Sequence, residues 1–111
     1  MRPYVLACAL AALAPLAFGP SPAAADAAAG RAKAQQQCAV CHGIDGIART
    51  PDAANLAGES EFYLTRQLEA FRSGERRHEQ MSIIAEALTD QDIADLADWY
   101  SNLEISVQMP Q

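Results

Sequence analysis

Cys38-Ala39-Val40-Cys41-His42 is the stretch whose residue types and spacing commit the chain to a particular chemistry. Two thiols three positions apart share one helical turn, so each can add across a vinyl group of a protoporphyrin, and the next residue, His42, then lies beneath the ring to ligate its iron. Two thioether bonds fix the porphyrin rotationally. The imidazole must therefore come from the adjacent position to reach the metal axially, which makes the spacing specific for covalent attachment of one c-type haem. A CxxC pair also serves dithiol oxidoreductases and half of a zinc site. The first expects a βαβ setting and the second a further Cys or His pair at ligand spacing, and neither accompanies this motif. The third cysteine, Cys8, falls in an expected leader, so an iron–sulfur cluster with four protein ligands lacks its donors.

The chain has 111 residues, room for one small domain. Arg2, the apolar run from Tyr4 to Phe18, Pro20-Ser21-Pro22 and Ala23-Ala24-Ala25 read as the n-region, h-region and small-residue cleavage site of a secretory signal over residues 1–25, cut after Ala25. Val5-Leu6-Ala7-Cys8 precedes most of the apolar run and is not read as a lipoprotein box. The run is too short to span a bilayer comfortably and no second one occurs, so residues 26–111 are expected in the periplasm, soluble and with no transmembrane segment unless the leader is retained as an anchor. They carry seven basic and fourteen acidic side chains, a formal charge of −7. That excess speaks against nucleic acid or an anionic membrane and for a redox protein partner with a basic docking face. So small a domain makes a meagre core. A covalently held haem is the kind of staple it needs.

The positioning elements follow from local signals. Asp26 to Gln37 is alanine-rich and runs into Cys38, so a first helix should carry the motif at its C-terminal end. Residues 43–59 contain Gly43, Gly46, Pro51, Asn55 and Gly58 without an apolar period, and read as a loop around a cofactor edge. Ser60 caps a second helix with Leu64, Leu68 and Phe71 at helical spacing, closed by Ser73-Gly74. A polar connection leads to a brief third helix from Met81. Thr89 with Asp92 forms a capping box, with Leu88 and Ile93 as its hydrophobic staple, for a fourth helix whose apolar face is Ile93, Leu96, Ala97, Tyr100 and Leu103. Its aspartates, Asp90, Asp92, Asp95 and Asp98, are expected mostly in water, and residues 104–111 as a frayed tail.

An iron held by His42 has a second axial position, and Met81, Met109, His78 or an open site are the candidates. A thioether is a soft ligand that favours ferrous iron and raises the potential, which suits an electron carrier. Met109 falls in the tail. Met81 follows a polar connection some 40 residues beyond the motif, about the length of chain needed to pass around a porphyrin and return. Methionine on a helix stripe is also common core filler.

The order Gly30, Cys38 to Gly43, Leu56-Ala57-Gly58, Tyr63-Leu64, Phe71-Arg72-Ser73-Gly74, Met81 and Leu88 to Ile93 resembles class I cytochromes c, above all the small bacterial domains that occur singly or as tandem pairs. The resemblance covers essentially all of residues 26–111. It implies an all-α fold of about four helices wrapped around one covalently bound haem c, with Cys38 and Cys41 as thioethers, His42 as proximal iron ligand and Met81 as distal ligand. It also implies that Gly30 is the close crossing of the first helix with the last, near Leu96 and Trp99. One departure stands out. Members of the family usually carry a proline two positions before the leucine matching Leu56, and its carbonyl accepts the Nδ1–H of the proximal histidine; here the residue is Ala54. A backbone carbonyl needs no proline to accept, so Ala54 remains a candidate for orienting His42.

A six-coordinate iron with no nucleophile, paired carboxylates or substrate cleft beside it implies a one-electron carrier and not an enzyme. Two other readings remain open. The same domain would serve as the electron-accepting subunit of a larger periplasmic dehydrogenase, and with a vacant distal site it would be a small haem enzyme or gas sensor.

Overall fold

The computed structural model describes Gly19 and residues 23–111. Cys8 and most of the expected leader lie outside the described residues. Five helices follow in order, α1 (Ala27–Gln37), α2 (Ala39–His42), α3 (Glu61–Ser73), α4 (Met81–Glu86) and α5 (Asp90–Ser101), and the described residues contain no strand. The fifth element arises because the first helix breaks at Cys38 (φ −114°, ψ −34°), and one further turn, α2, carries the rest of the motif.

Each helix end has a local cause. The Asp26 carboxylate accepts from the amides of Ala28 and Ala29 at the start of α1, and Ser60 Oγ accepts from Tyr63 at the start of α3. Gly74 takes the left-handed conformation (φ 82°) that closes α3. At α5 the capping box forms both ways: Thr89 Oγ1 accepts from the Asp92 amide and Asp92 Oδ2 from the Thr89 amide, each at 3.0 Å. That amide, followed by the Lys33 ammonium, holds the Asp92 carboxyl below the usual carboxylate range. Lys33 reaches Asp92 at 3.0 Å and so ties α1 to the start of α5.

The core gathers where α5 meets α1 and α3. Ile93, Leu96, Ala97 and Tyr100, at i, i+3, i+4 and i+7, are all buried and pack with Ala34, Leu64 and Leu88. Helix α1 has no apolar stripe; its two buried residues are Gly30 and Ala34, so it packs by lying close and not by inserting large side chains. A Cβ on Gly30 would run into the backbone carbonyl of Asp95 and stand 3.0 Å from Trp99 Cβ. The crossing foreseen at Gly30 is thus set by Asp95 and Trp99. Gly30→Ala forces the two helices apart, and by the usual cost of overpacking it should lose about 1–3 kcal/mol in denaturant unfolding. An unchanged midpoint would show that α1 does not pack this closely.

Asp95 departs from the expected pattern of solvated aspartates. It is 8% exposed, because its position beneath the start of α1 places its carboxylate against the Asp26 amide. Residues 104–111 are exposed and without regular structure, as expected of the tail, although Ile105 lies near Gly58. No helix of the described residues is long and apolar enough to cross a membrane.

Candidate haem-attachment site

The expected site residues converge on one cleft. Cys38, Cys41, His42 and Met81 all line it, together with the loop residues Ala54 and Leu56, the α3 residues Leu64, Leu68 and Phe71, and Leu96, Ala97 and Tyr100 of α5. The cleft holds about 1340 Å³ between its walls, part of it open to solvent. Met109 is 80% exposed in the tail and does not line it.

Four local arrangements hold the motif and its loop. First, α2 ends at Gly43, whose φ of 72° turns the chain away from the helix. A side chain there would be strained and would also meet Ile47. Second, Tyr100 donates its hydroxyl to the Gly43 carbonyl and Trp99 its Nε1–H to the Ile44 carbonyl, both at 3.0 Å. These aromatics, expected only to pack, instead pin the chain just after the motif to α5, and burial drives the Tyr100 hydroxyl well above the ordinary tyrosine range. Third, the loop closes on itself through Leu56 to the Gly46 carbonyl at 2.7 Å and Arg49 to the Cys41 carbonyl at 2.7 Å. Fourth, that closure delivers the Ala54 carbonyl to His42, whose Nδ1 donates to it at 2.7 Å.

The last contact fixes chemistry. A carbonyl can only accept, so Nδ1 carries the proton and Nε2 is left as the free lone pair, the tautomer an axial ligand requires. The absence of proline at residue 54 leaves this hydrogen bond in place.

On the opposite wall, His78 has a role its sequence position did not suggest. Its Nδ1 accepts from the amides of Gln80 and Met81, both at 3.3 Å, its own amide donates to Ser82 Oγ at 3.0 Å, and its ring meets Phe71 edge-on at 6.4 Å. Helix α4 has no conventional side-chain N-cap, and the His78 ring stands in for one beneath Met81. Only the folded turn brings that ring back over the α4 amides.

Electrostatics separates the motif from a dithiol centre. Burial pushes the Cys38 thiol up to about 11, with Lys33 pulling weakly the other way, whereas a redox thiol needs a lowered value. Cys38 and Cys41 are not joined in a disulfide, and the described residues contain no cluster of three or more His, Cys, Asp or Glu side chains that would hold a separate metal ion. An apolar-walled cleft with both thiols, one tautomer-fixed imidazole and one thioether on its lining fits a covalently bound haem.

Fold and site together define a small all-helical protein of the c-type haem class. The family model for cytochrome c matches residues 27–104. Cytochrome c4 of Pseudomonas aeruginosa is 42% identical over 87 residues, a match that takes in 78% of this chain and 43% of that protein. Cytochrome c-554(548) of Halomonas halodenitrificans is 43% identical over 84 residues, covering 73% of this chain and all of the relative. Among solved structures, reduced recombinant cytochrome c4 from Pseudomonas stutzeri superposes with a TM-score of 0.68 at 35% identity, over 76% of this chain and 48% of that one. A thiosulfate dehydrogenase from Marichromatium purpuratum superposes with a TM-score of 0.66 at 40% identity, over 70% of this chain and 19% of that one.

The chain belongs to the cytochrome c family and has the class I fold. Membership implies one covalently bound haem c with its iron. The chain spans a little under half the length of the cytochromes c4 it matches and the full length of the Halomonas relative.

Proposed function

We propose that this protein is a periplasmic one-electron carrier and not an enzyme. In the exported chain, freed of residues 1–25, Cys38 and Cys41 would hold the haem as thioethers, and His42 Nε2 and Met81 Sδ would be the protein ligands of its iron. The observation that carries the reading is the 2.7 Å bond from His42 Nδ1 to the Ala54 carbonyl, which presents the other ring nitrogen to the cleft that Cys38, Cys41 and Met81 also line. When bound, the haem supplies a one-electron iron couple. The chain's part is to keep that couple rigid and dry on one side: Ala54 fixes the imidazole plane, His78 anchors the Met81 backbone, and Leu64, Phe71 and Leu96 exclude water. Met81 gives a soft sulfur that favours the reduced metal. Oxidised and reduced visible spectra of the exported protein test the assignment; spectra of a high-spin iron, or of a protein without haem, overturn it.

A second reading, that this domain docks permanently on a catalytic chain, takes its support from the resemblance to part of a thiosulfate dehydrogenase. Size-exclusion of extracts from the native host separates the two, since a subunit elutes as a large stable complex.

The docking face follows from where the arginines go. Arg72 is spent internally, paired with Asp90 at 2.6 Å and donating to the Leu88 carbonyl at 3.0 Å. Arg76 lies 4.6 Å over the Phe71 ring and donates to Gln67 Oε1 at 2.6 Å. Arg66, Arg72 and Arg76 border a surface groove, but Glu69 and Glu75 stand among them. This interleaving weakens the local basic patch, and the global charge of −7 over residues 26–111 is left to steer a basic redox partner. Electron-transfer rates with a small basic protein should therefore fall as salt rises, over a Debye length of about 10 Å at 0.1 M. Rates that rise with salt, and that reverse in Arg76→Glu/Arg77→Glu, would assign docking to the arginines.

A further inference from the structure

Asp95 is the one charged side chain that the described core takes in. Its Oδ1 accepts from the backbone amide of Asp26 and from Gln91 Nε2, each at 2.8 Å. Among the described residues no cation reaches it: Lys33 is committed to Asp92, and Arg31 lies 5.7 Å over the Trp99 ring. A carboxylate withdrawn from water with neutral donors alone is poorly compensated. The donor on Asp95 is the backbone nitrogen that follows Ala23-Ala24-Ala25, the small-residue stretch that reads as a leader cleavage site. Residues 23–26 are exposed and outside regular structure, the form in which a peptidase can bind them.

We infer that cleavage between Ala25 and Asp26 converts the amide on Asp95 into an α-ammonium, supplies the buried carboxylate with its counter-charge and pins the start of α1 to α5. A leader peptidase adds water across the Ala25–Asp26 peptide bond. The C–N bond breaks, Ala25 leaves as a carboxylate, and both water protons end on the Asp26 nitrogen. The positive end of the α1 dipole opposes a cation there. Two carboxylates offset that opposition: Asp95, and Asp26's own side chain, which caps the amides of Ala28 and Ala29. The contact between Gln91 Nε2 and the Ala24 carbonyl, 3.2 Å, is lost with the leader, while Gln91 keeps its bond to Asp95. Because α1 leads directly into Cys38, Cys41 and His42, the new ion pair braces the helix that presents the haem motif.

The intact mass of holoprotein exported from the full-length gene should correspond to a chain starting at Asp26; a start at any other residue overturns the inference. Charge is then isolated by Nα-acetylation, which leaves one N–H on Asp26 and removes only the positive charge. Lys33 is the chain's single lysine, so a Lys33→Arg background confines acetylation to the terminus. Acetylation should lower the folding equilibrium constant about tenfold when Asp95 is present, and leave the Asp95→Asn variant unchanged. A protein whose cleavage site is moved so that it starts at Ala24 retains the amide and should match the acetylated form. Equal losses with and without the Asp95 carboxylate, no loss in either, or an Ala24 start as stable as the Asp26 start would each overturn it.

Discussion

Replacing Cys38 and Cys41 together with alanine leaves a chain that is degraded in the cell or unfolded when purified. Five of the nine buried apolar residues, Leu64, Phe71, Leu96, Ala97 and Tyr100, line the haem cleft, so their packing is only half supplied by the polypeptide. Three of the nine are alanines, Ala34, Ala85 and Ala97, which bury little. A full burial of Leu or Phe contributes roughly 1.5–3 kcal/mol, and the net stability of a small domain is only on the order of 5 kcal/mol. Loss of the cleft-side contacts of Leu64, Phe71 and Leu96 is then enough to remove the folded state. Circular dichroism and denaturant titration of the double variant check this. A cooperative transition with native helicity would show that the helices hold each other without the cofactor.

On the proposed ligation, Met81→Ala should admit carbon monoxide to the reduced protein and lower the reduction potential by more than about 60 mV, the tenfold step of a one-electron couple. The direction follows from the loss of a soft donor that favours ferrous iron. The extent is helped by rigidity, because the Met81 amide is held by His78 and that ring is in turn held against Phe71. Met109→Ala should leave both potential and carbon monoxide binding at their wild-type values, since Met109 is exposed in the tail. Exchange of these two behaviours would mean that the tail, and not α4, returns to the metal.

Much of the architecture is local, and local signals survive in a bare sequence. The caps at Ser60 and Thr89, the left-handed stop at Gly74 and the face Ile93, Leu96, Ala97 and Tyr100 depend on neighbours within four residues, so they stand in the structure as they read in the chain. The attachment motif is local in the same sense. Cys38, Cys41 and His42 fall within five consecutive residues, and their arrival in one cleft needs only a helical turn. The start of α4 at Met81 was legible for the same reason, whereas the break of the first helix at Cys38 was not, because alanine-rich composition gives no stop.

What tertiary structure decided are the contacts between residues far apart in sequence. The Ala54 carbonyl reaches His42 because the loop folds back on Gly46, and no propensity of alanine could have announced it. Trp99 and Tyr100 look like core aromatics until α5 is laid beside the motif, where their polar ends meet the Ile44 and Gly43 carbonyls. Arg72 is a plain charged residue in the sequence, and only the approach of α3 to α5 pairs it with Asp90. Asp95 belongs to a run of acids that local amphipathicity assigns to water, and only the crossing at Gly30 buries it against Asp26. The physical reason is common to all four: a hydrogen bond or ion pair between distant residues depends on the relative placement of two helices or a loop, and that placement is set by the packing of the whole core, not by the residues that make the contact.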